Sequence, residues 1–309
     1  MINVDMLPRI LGKYKQNPNI GKMCWFKTHN IADILYIPKD IEDLQQFLIE
    51  KPNDIHIHII GAGSNTLVVD ERINGVVIRL GLGFHYITHH STTITVGCSY
   101  MDYNLAKYAA NNSISGLEFF SGIPGNIGGA LAMNAGSYDN DTSKVLVEAK
   151  AINILTGEKK NIQKQQIGYY YRGKTVGNEW LFYEAKFQGS KGNKKDILLT
   201  IDNMRRKRLS IQPTQMQTGG STFKNPPHKQ AWKIIESCGL RGKKIGKAKF
   251  SETHCNFLIN EGDAKVSDLI NLIKLAKQGA KKKFNIVLEQ EIRLLSNDNS
   301  HFLKPYLSK

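Results

Sequence analysis

The sequence reads as a mixed fold of strands and helices in two or three domains, and not as a doubly wound nucleotide-binding sheet. Its 309 residues are enough for about two domains with buried cores. The loop Gly61-Ala-Gly-Ser-Asn-Thr66 follows a strand-like stretch and begins like G-x-G-x-x-G, with Thr66 in place of the third glycine. What comes next reads as strand, turn, strand, where a doubly wound site needs a helix to meet the pyrophosphate. Beyond Gly189-Ser-Lys-Gly-Asn-Lys-Lys195, the only linker-like composition, the texture changes.

The elements follow in chain order. Residues 32–38 form a short apolar stretch, and residues 41–49 a helix with Asp40 as N-cap. Residues 55–60 alternate at period two and predict a strand. His56 and His58 share one of its faces, which reads as solvated because no third metal ligand is near. In residues 67–80, Asn74-Gly75 is the hairpin signal. Residues 93–98 are a strand, and residues 101–110 a helix with Leu105, Tyr108 and Ala109 on one side. Strands at 145–154 and 180–187 flank the turn at Gly157 and the aromatic run Tyr169-Tyr170-Tyr171-Arg172. That run reads either as an aromatic strand edge with Arg172 stacked on a ring, or as part of a site. Residues 196–209 look helical, as do residues 231–238, capped by Gly239. Val266, Leu269, Ile270, Ile273 and Ala280 mark the apolar face of a helix ending at Lys283. Residues 286–295 alternate strictly, so Glu289, Glu291 and Arg293 share a strand face. The pattern alone makes that face solvated, with local charge pairs.

Composition narrows the function classes. Hydrophobic content is 41% and charged content 22%, ordinary for a globular protein. No apolar run approaches the ~18 residues of a membrane span, and the N-terminus lacks the features of a signal peptide. Cys24, Cys98, Cys238 and Cys255 are scattered, which argues against a zinc site or a disulfide framework and fits a reducing compartment. The net charge is +15, densest at Arg205-Arg206-Lys207-Arg208 and Lys281-Lys282-Lys283. These runs lie beside apolar periodic segments without a nucleic-acid signature, so the surplus reads as solubility and steering of anions.

Three stretches carry chemistry. Residues 116–138 hold six glycines and Pro124 among apolar residues and almost no charge. Such a stretch is either a tight turn at a core or a cradle whose backbone N–H groups hold phosphate. The loop at 61–66 offers backbone amides with the side chains of Ser64 and Asn65 for the same purpose. In Gln217-Thr-Gly-Gly-Ser221-Thr-Phe-Lys224-Asn225-Pro-Pro227, a glycine pair delivers a hydroxyl, an ammonium and an amide into one loop.

Together these residues resemble the UDP-N-acetylenolpyruvoylglucosamine reductase (MurB) family. The matching stretches are 61–67, 116–136, Tyr171-Arg172, 219–226, 254–260 and 288–293, in family order over about residues 20–295. Arg172 and Trp180 are too close for the long tyrosine-bearing insertion of one branch, so the chain resembles the second type. The Gly-Gly pair usual in the first segment is missing from Trp25–Ala32.

The resemblance implies an α+β fold: a two-subdomain FAD-binding part of the vanillyl-alcohol oxidase (PCMH) type plus a C-terminal α+β substrate-binding domain. The implied boundaries are 1–26 for an N-terminal segment, 27–192 for the FAD-binding region (27–80 and 81–192), 197–297 for the substrate domain and 298–309 for a tail returning to the first part. The implied reaction uses bound FAD and NADPH to reduce UDP-N-acetylglucosamine enolpyruvate to UDP-N-acetylmuramate, in a cytoplasmic monomer. Gly61, Gly63, Ser64, Asn65, Thr66, Gly122, Ile123, Pro124, Gly125, Gly128 and Gly129 are the implied cofactor residues. Arg172 and Glu291 would stabilise charge near the substrate carboxylate, and Ser221 would give the proton to C2. Tyr171, Lys224, Asn225 and Asn256 would bind substrate. No metal is implied. Two rivals are an alcohol-oxidising flavoenzyme on the same fold, told apart by whether NADPH bleaches the flavin, and a colourless basic binding protein.

Overall fold

The structure, a computed structural model, describes residues 2–213 and 215–298. The tail expected from residue 298 on lies, after Asp298, outside the described residues.

The first layer contains β1 (Lys13–Gln16), β2 (Ile31–Ile37), α1 (Ile41–Glu50), β3 (Ile57–Ile59), β4 (Thr66–Val68) and β5 (Arg72–Ile78). The sheet order is β1-β2-β5-β3, with β1 antiparallel to β2 and the other pairs parallel. Apolar residues fill both faces of β2, as they must in a strand covered on both sides. Asp40 caps α1 by accepting from the Asp43 N–H at 2.9 Å, and the helix lays Leu44, Phe47 and Leu48 onto Ile34 and Tyr36.

Two expectations fail here. Asn74-Gly75 is no hairpin turn; both residues lie inside β5. Between Ala32↔Ile73 and Ile34↔Val76 strand β5 carries one extra residue, a bulge. Gly75 takes φ +96° and donates its N–H to the buried Asp33 carboxylate at 3.1 Å. A bulge and a primed turn ask for the same left-handed residues, so the dipeptide alone does not separate them. Strand β4 leaves for another sheet altogether. Of the two histidines expected on a solvated face, His56 is exposed but His58 is not. His58 is 1% exposed, with Nε2 3.1 Å from the carbonyl of Asn74, because the strand is covered on both sides.

The second layer contains β6 (Ile87–His90), β7 (Thr93–Gly97), α2 (Asp102–Asn111), a 3₁₀ turn (Glu118–Gly122), α3 (Ile127–Met133), β8 (Leu146–Asn153), β9 (Lys159–Gln163), the tight hairpin β10 (Tyr169–Tyr170) and β11 (Gly173–Lys174), and β12 (Trp180–Gln188). Its antiparallel sheet runs β9-β8-β12-β7-β6. Ile94, Val96, Leu105, Phe120, Ile127, Leu131 and Phe187 meet in one core, so the glycine-rich stretch lies against the sheet and not on a surface loop. The stretch read as a linker is stitched on: Ser190–Lys191 pairs with Ile114–Ser115.

The last part contains α4 (Lys194–Ile211), α5 (Ala231–Ser237), β13 (Lys244–Ile245), β14 (Ala248–Phe250), β15 (Leu258–Asn260), α6 (Val266–Phe284) and β16 (Arg293–Leu295). Leu269, Leu272, Ile273, Ala276 and Ala280 make the buried face of α6. Its last turn holds Lys281, Lys282 and Lys283, where cations favour the C-terminal end of the helix dipole. The expected strand over 286–295 shrinks to β16, because the chain before it turns to cover Phe223 and to present Glu291 inward. Strand β16 pairs in parallel with β4, and Phe26 and Leu67 enter the core built on α5 and α6. Strand β16 is thereby fixed beside the end of the first glycine loop at Thr66.

Candidate functional site

A cavity of about 320 Å³ lies where these parts meet, within the usual size range for ligand pockets. Its walls are the loop 61–66, the segment 122–137, the turn after β10, the C-terminal end of α4, the loop 218–221, and Glu291 with Arg293. All of the expected cofactor residues, from Gly61 through Gly129, are on this wall, as are Arg172, Ser221 and Glu291.

The two glycine loops brace each other. Ser64 Oγ donates to the carbonyl of Pro124 at 2.6 Å, and Asn126 Oδ1 receives the N–H of Gly129 at 3.3 Å while capping α3. Gly63 has φ +71°, and a Cβ on it would lie 2.8 Å from Cys24 Cα. Among the described residues, the backbone N–H groups of Ser64, Asn65, Gly125 and Asn126 donate to no protein acceptor. Amides left without an acceptor on two neighbouring turns are the groups from which an anion-binding concavity can be built. Asp102, on the same wall, has both carboxyl oxygens buried without a partner. Burial pushes its pKa well above the usual carboxylate value, which disfavours a negative charge beside a bound anion.

Gly128 lines the cavity for a different reason than a ligand's approach. A Cβ on it would point at Cys98, 3.2 Å from the carbonyl oxygen and 3.3 Å from Cβ. Its missing side chain lets α3 sit directly on the end of β7.

The polar end is built on the β10–β11 turn. Arg172 sits there at φ +55° and sends Nε to Glu291 Oε1 at 2.8 Å and Nη2 to the Gly136 carbonyl at 2.9 Å. Tyr171, half exposed, stacks on that guanidinium with its ring centroid 5.3 Å away. Burial raises the Glu291 pKa, while Arg172 and Lys224 oppose the shift. Ser221 also lines this cavity, directly after Gly220, which takes φ +79°. Its hydroxyl makes no hydrogen bond among the described residues. Gly219 presses on the Phe26 ring, where a Cβ would come to 2.3 Å.

The expected substrate residues separate. Lys224 lines a small adjoining cavity with Tyr170, Arg172 and Glu291, and its Nζ lies 3.5 Å from Glu289. Tyr171, Asn225 and Asn256 are on neither wall. Asn225 accepts the N–H of Ala231 at 3.0 Å at the start of α5. Asn256, buried, receives the Phe223 N–H at 3.0 Å and donates to the Phe223 carbonyl at 2.8 Å, clamping the loop that carries Ser221. Lys174, Arg208 and Arg293 also line the main cavity, although the sequence reading assigned them no role there. Arg208 stands in the basic run of α4, and its helical spacing from Ile197 and Ile201, the buried residues of that helix, was the available signal.

Residues 212–295 match the C-terminal domain of UDP-N-acetylenolpyruvoylglucosamine reductase, and residues 32–162 match an FAD binding domain. The chain is 41% identical over 288 residues to the UDP-N-acetylenolpyruvoylglucosamine reductase of Rickettsia conorii, covering 93% of this chain and 97% of the relative. With that of Parvibaculum lavamentivorans it shares 41% over 290 residues, covering 94% and 93%. The crystal structure of UDP-N-acetylenolpyruvylglucosamine reductase from Thermus caldophilus superimposes with a TM-score of 0.79 at 26% identity, covering 93% of this chain and 100% of that one.

Proposed function

Because the chain belongs to the UDP-N-acetylenolpyruvoylglucosamine reductase family, we propose that its main cavity serves both halves of an NADPH-dependent reduction of UDP-N-acetylglucosamine enolpyruvate to UDP-N-acetylmuramate, a step in peptidoglycan precursor synthesis. The chain is an FAD-containing oxidoreductase. When bound, FAD supplies the hydride carrier between NADPH and C3 of the enolpyruvyl group. The chain's residues fit that cofactor: the unspent amides at 64, 65, 125 and 126 suit a diphosphate, and burial disfavours the charge on Asp102 that would oppose it.

The remaining work falls to side chains. Hydride arriving at C3 leaves negative charge on C2 and its carboxylate, and a proton must reach C2. Arg172, fixed by Glu291 and the Gly136 carbonyl, offers a positioned cation for that charge. Ser221 holds its hydroxyl into the same space with no competing acceptor, which suits a proton donor. Lys224, beside Glu291, is the second cation of that end. Asn256 and Asn225 act by shaping the Ser221 loop and the start of α5. Residues 27–192 form the flavin-binding region in this proposal and residues 197–297 the substrate domain, in a cytoplasmic monomer.

The observation that carries this proposal is that an unbonded Ser221, the Arg172–Glu291 pair and two amide-rich loops all line one cavity. The test is spectroscopic. Purified chain is yellow, anaerobic NADPH bleaches it, and the enolpyruvyl UDP-sugar restores the colour. A yellow chain that NADPH leaves unbleached, or that only oxygen reoxidises, contradicts the proposal.

A further inference from the structure

The polar end of the cavity gathers several cationic side chains. Arg172, Lys174 and Arg293 stand on the walls of both cavities, and among the described residues Glu291 is the one carboxylate on the wall of the smaller. Lys174 differs from the other two. Its side chain is buried, and its ammonium donates to the carbonyls of Val176 at 2.7 Å and Gly177 at 3.0 Å and to Asn178 Oδ1 at 3.4 Å. It also lies 5.8 Å from the centroid of the Phe182 ring. Three acceptors use its three N–H bonds, so it has none left to grip a ligand. Burial and the nearby Arg293 draw its pKa down to about 8, which still leaves it mostly charged at neutral pH. A cation fixed without a ligand contact can act on the site only through its field.

We infer that Lys174 is a positioning residue for charge: its caged ammonium on the cavity wall favours the reduced over the oxidised cofactor. The balance of the first half-reaction shows why. NADPH gives up a hydride and becomes NADP⁺, and the acceptor gains two electrons and one proton, so the cavity gains one negative charge. A fixed cation at that wall stabilises the product state more than the starting state, and low local polarity strengthens the effect. The inference rests on the proposal that this cavity holds FAD with its reacting end toward Arg172.

Lys174→Gln keeps two N–H donors for the carbonyl cage and removes the charge. Lys174→Arg keeps the charge. Apo protein is titrated with oxidised FAD and, separately, with dithionite-reduced FAD, and the midpoint potential of the loaded protein is measured beside the thermal midpoint of the apo form. K174Q is expected to weaken reduced FAD about tenfold more than oxidised FAD, equivalent to about 30 mV lower potential for a two-electron couple. K174R is expected to hold the parental potential. If K174Q weakens both redox states equally, keeps the parental potential, or does not fold, Lys174 is a structural brace and the inference is overturned. A parent protein that binds no FAD overturns the functional proposal instead, before any variant is made.

Discussion

Glu291 shows how much one side chain depends on its partners. On the alternating pattern 286–295 it reads as one of a solvated charge row, yet it lies inside, bonded to Arg172 at 2.8 Å, with a raised pKa. If the pair acts on charge that appears only as C3 is reduced, its loss slows the second half-reaction and spares the first. Stopped-flow on Glu291→Gln is expected to show flavin reduction by NADPH near the parental rate and slow reoxidation by substrate. Equal slowing of both phases would mark a structural role. At the same scale, Asn256 shows what the sequence could not reveal. Its motif position implies contact with substrate, but both ends of its amide are spent on Phe223. An amide that binds a ligand and one that clamps a loop look alike in a sequence, because only the fold decides which backbone lies opposite.

Among the elements, helices and strands were legible wherever the period was long. Residues 41–49 and 266–283 have apolar faces repeating at three and four, and residues 180–187 suit a half-buried strand, so α1, α6 and β12 form where expected. The glycine-rich segment was legible as a cradle by composition but not in its parts. Gly128 illustrates the gap, since a Cβ there would press on Cys98. Gly128→Val therefore pushes α3 off β7, and overpacking of this kind costs about 1–3 kcal/mol. The variant is expected to lower the apo thermal midpoint as well as to lose flavin. A colourless variant with the parental apo midpoint would return Gly128 to a purely ligand-facing role. The Asn74-Gly75 bulge was illegible for a related reason: its partner, Asp33, lies about forty residues earlier and only the folded sheet brings it there.

Across the whole molecule, the parallel pairing of β16 with β4 joins the last element to the first glycine loop, and Asn65 meets residues 291 and 293 there. No local pattern predicts a contact between positions so far apart in the chain. Charge was legible from composition. A net +15 attracts phosphorylated ligands over distances that salt screens within about 10 Å at 0.1 M. KM for NADPH is expected to rise as ionic strength is raised from low to physiological values. A KM independent of salt would confine the surplus to solubility.

The central claim of the proposal is that Ser221, which lines the same cavity as Arg172 and Glu291, gives the proton to C2 of the substrate. Anaerobic stopped-flow on Ser221→Ala tests it most directly, because the two half-reactions are read separately in one protein. Positioned proton transfer is worth on the order of 10²–10⁴-fold, so flavin reoxidation by the enolpyruvyl substrate is expected to slow by at least ~100-fold, while reduction by NADPH stays near the parental rate. Ser221→Cys, with a more acidic proton at the same position, is expected to regain part of the loss. Reoxidation of Ser221→Ala at the parental rate would contradict the claim and assign the proton to another group.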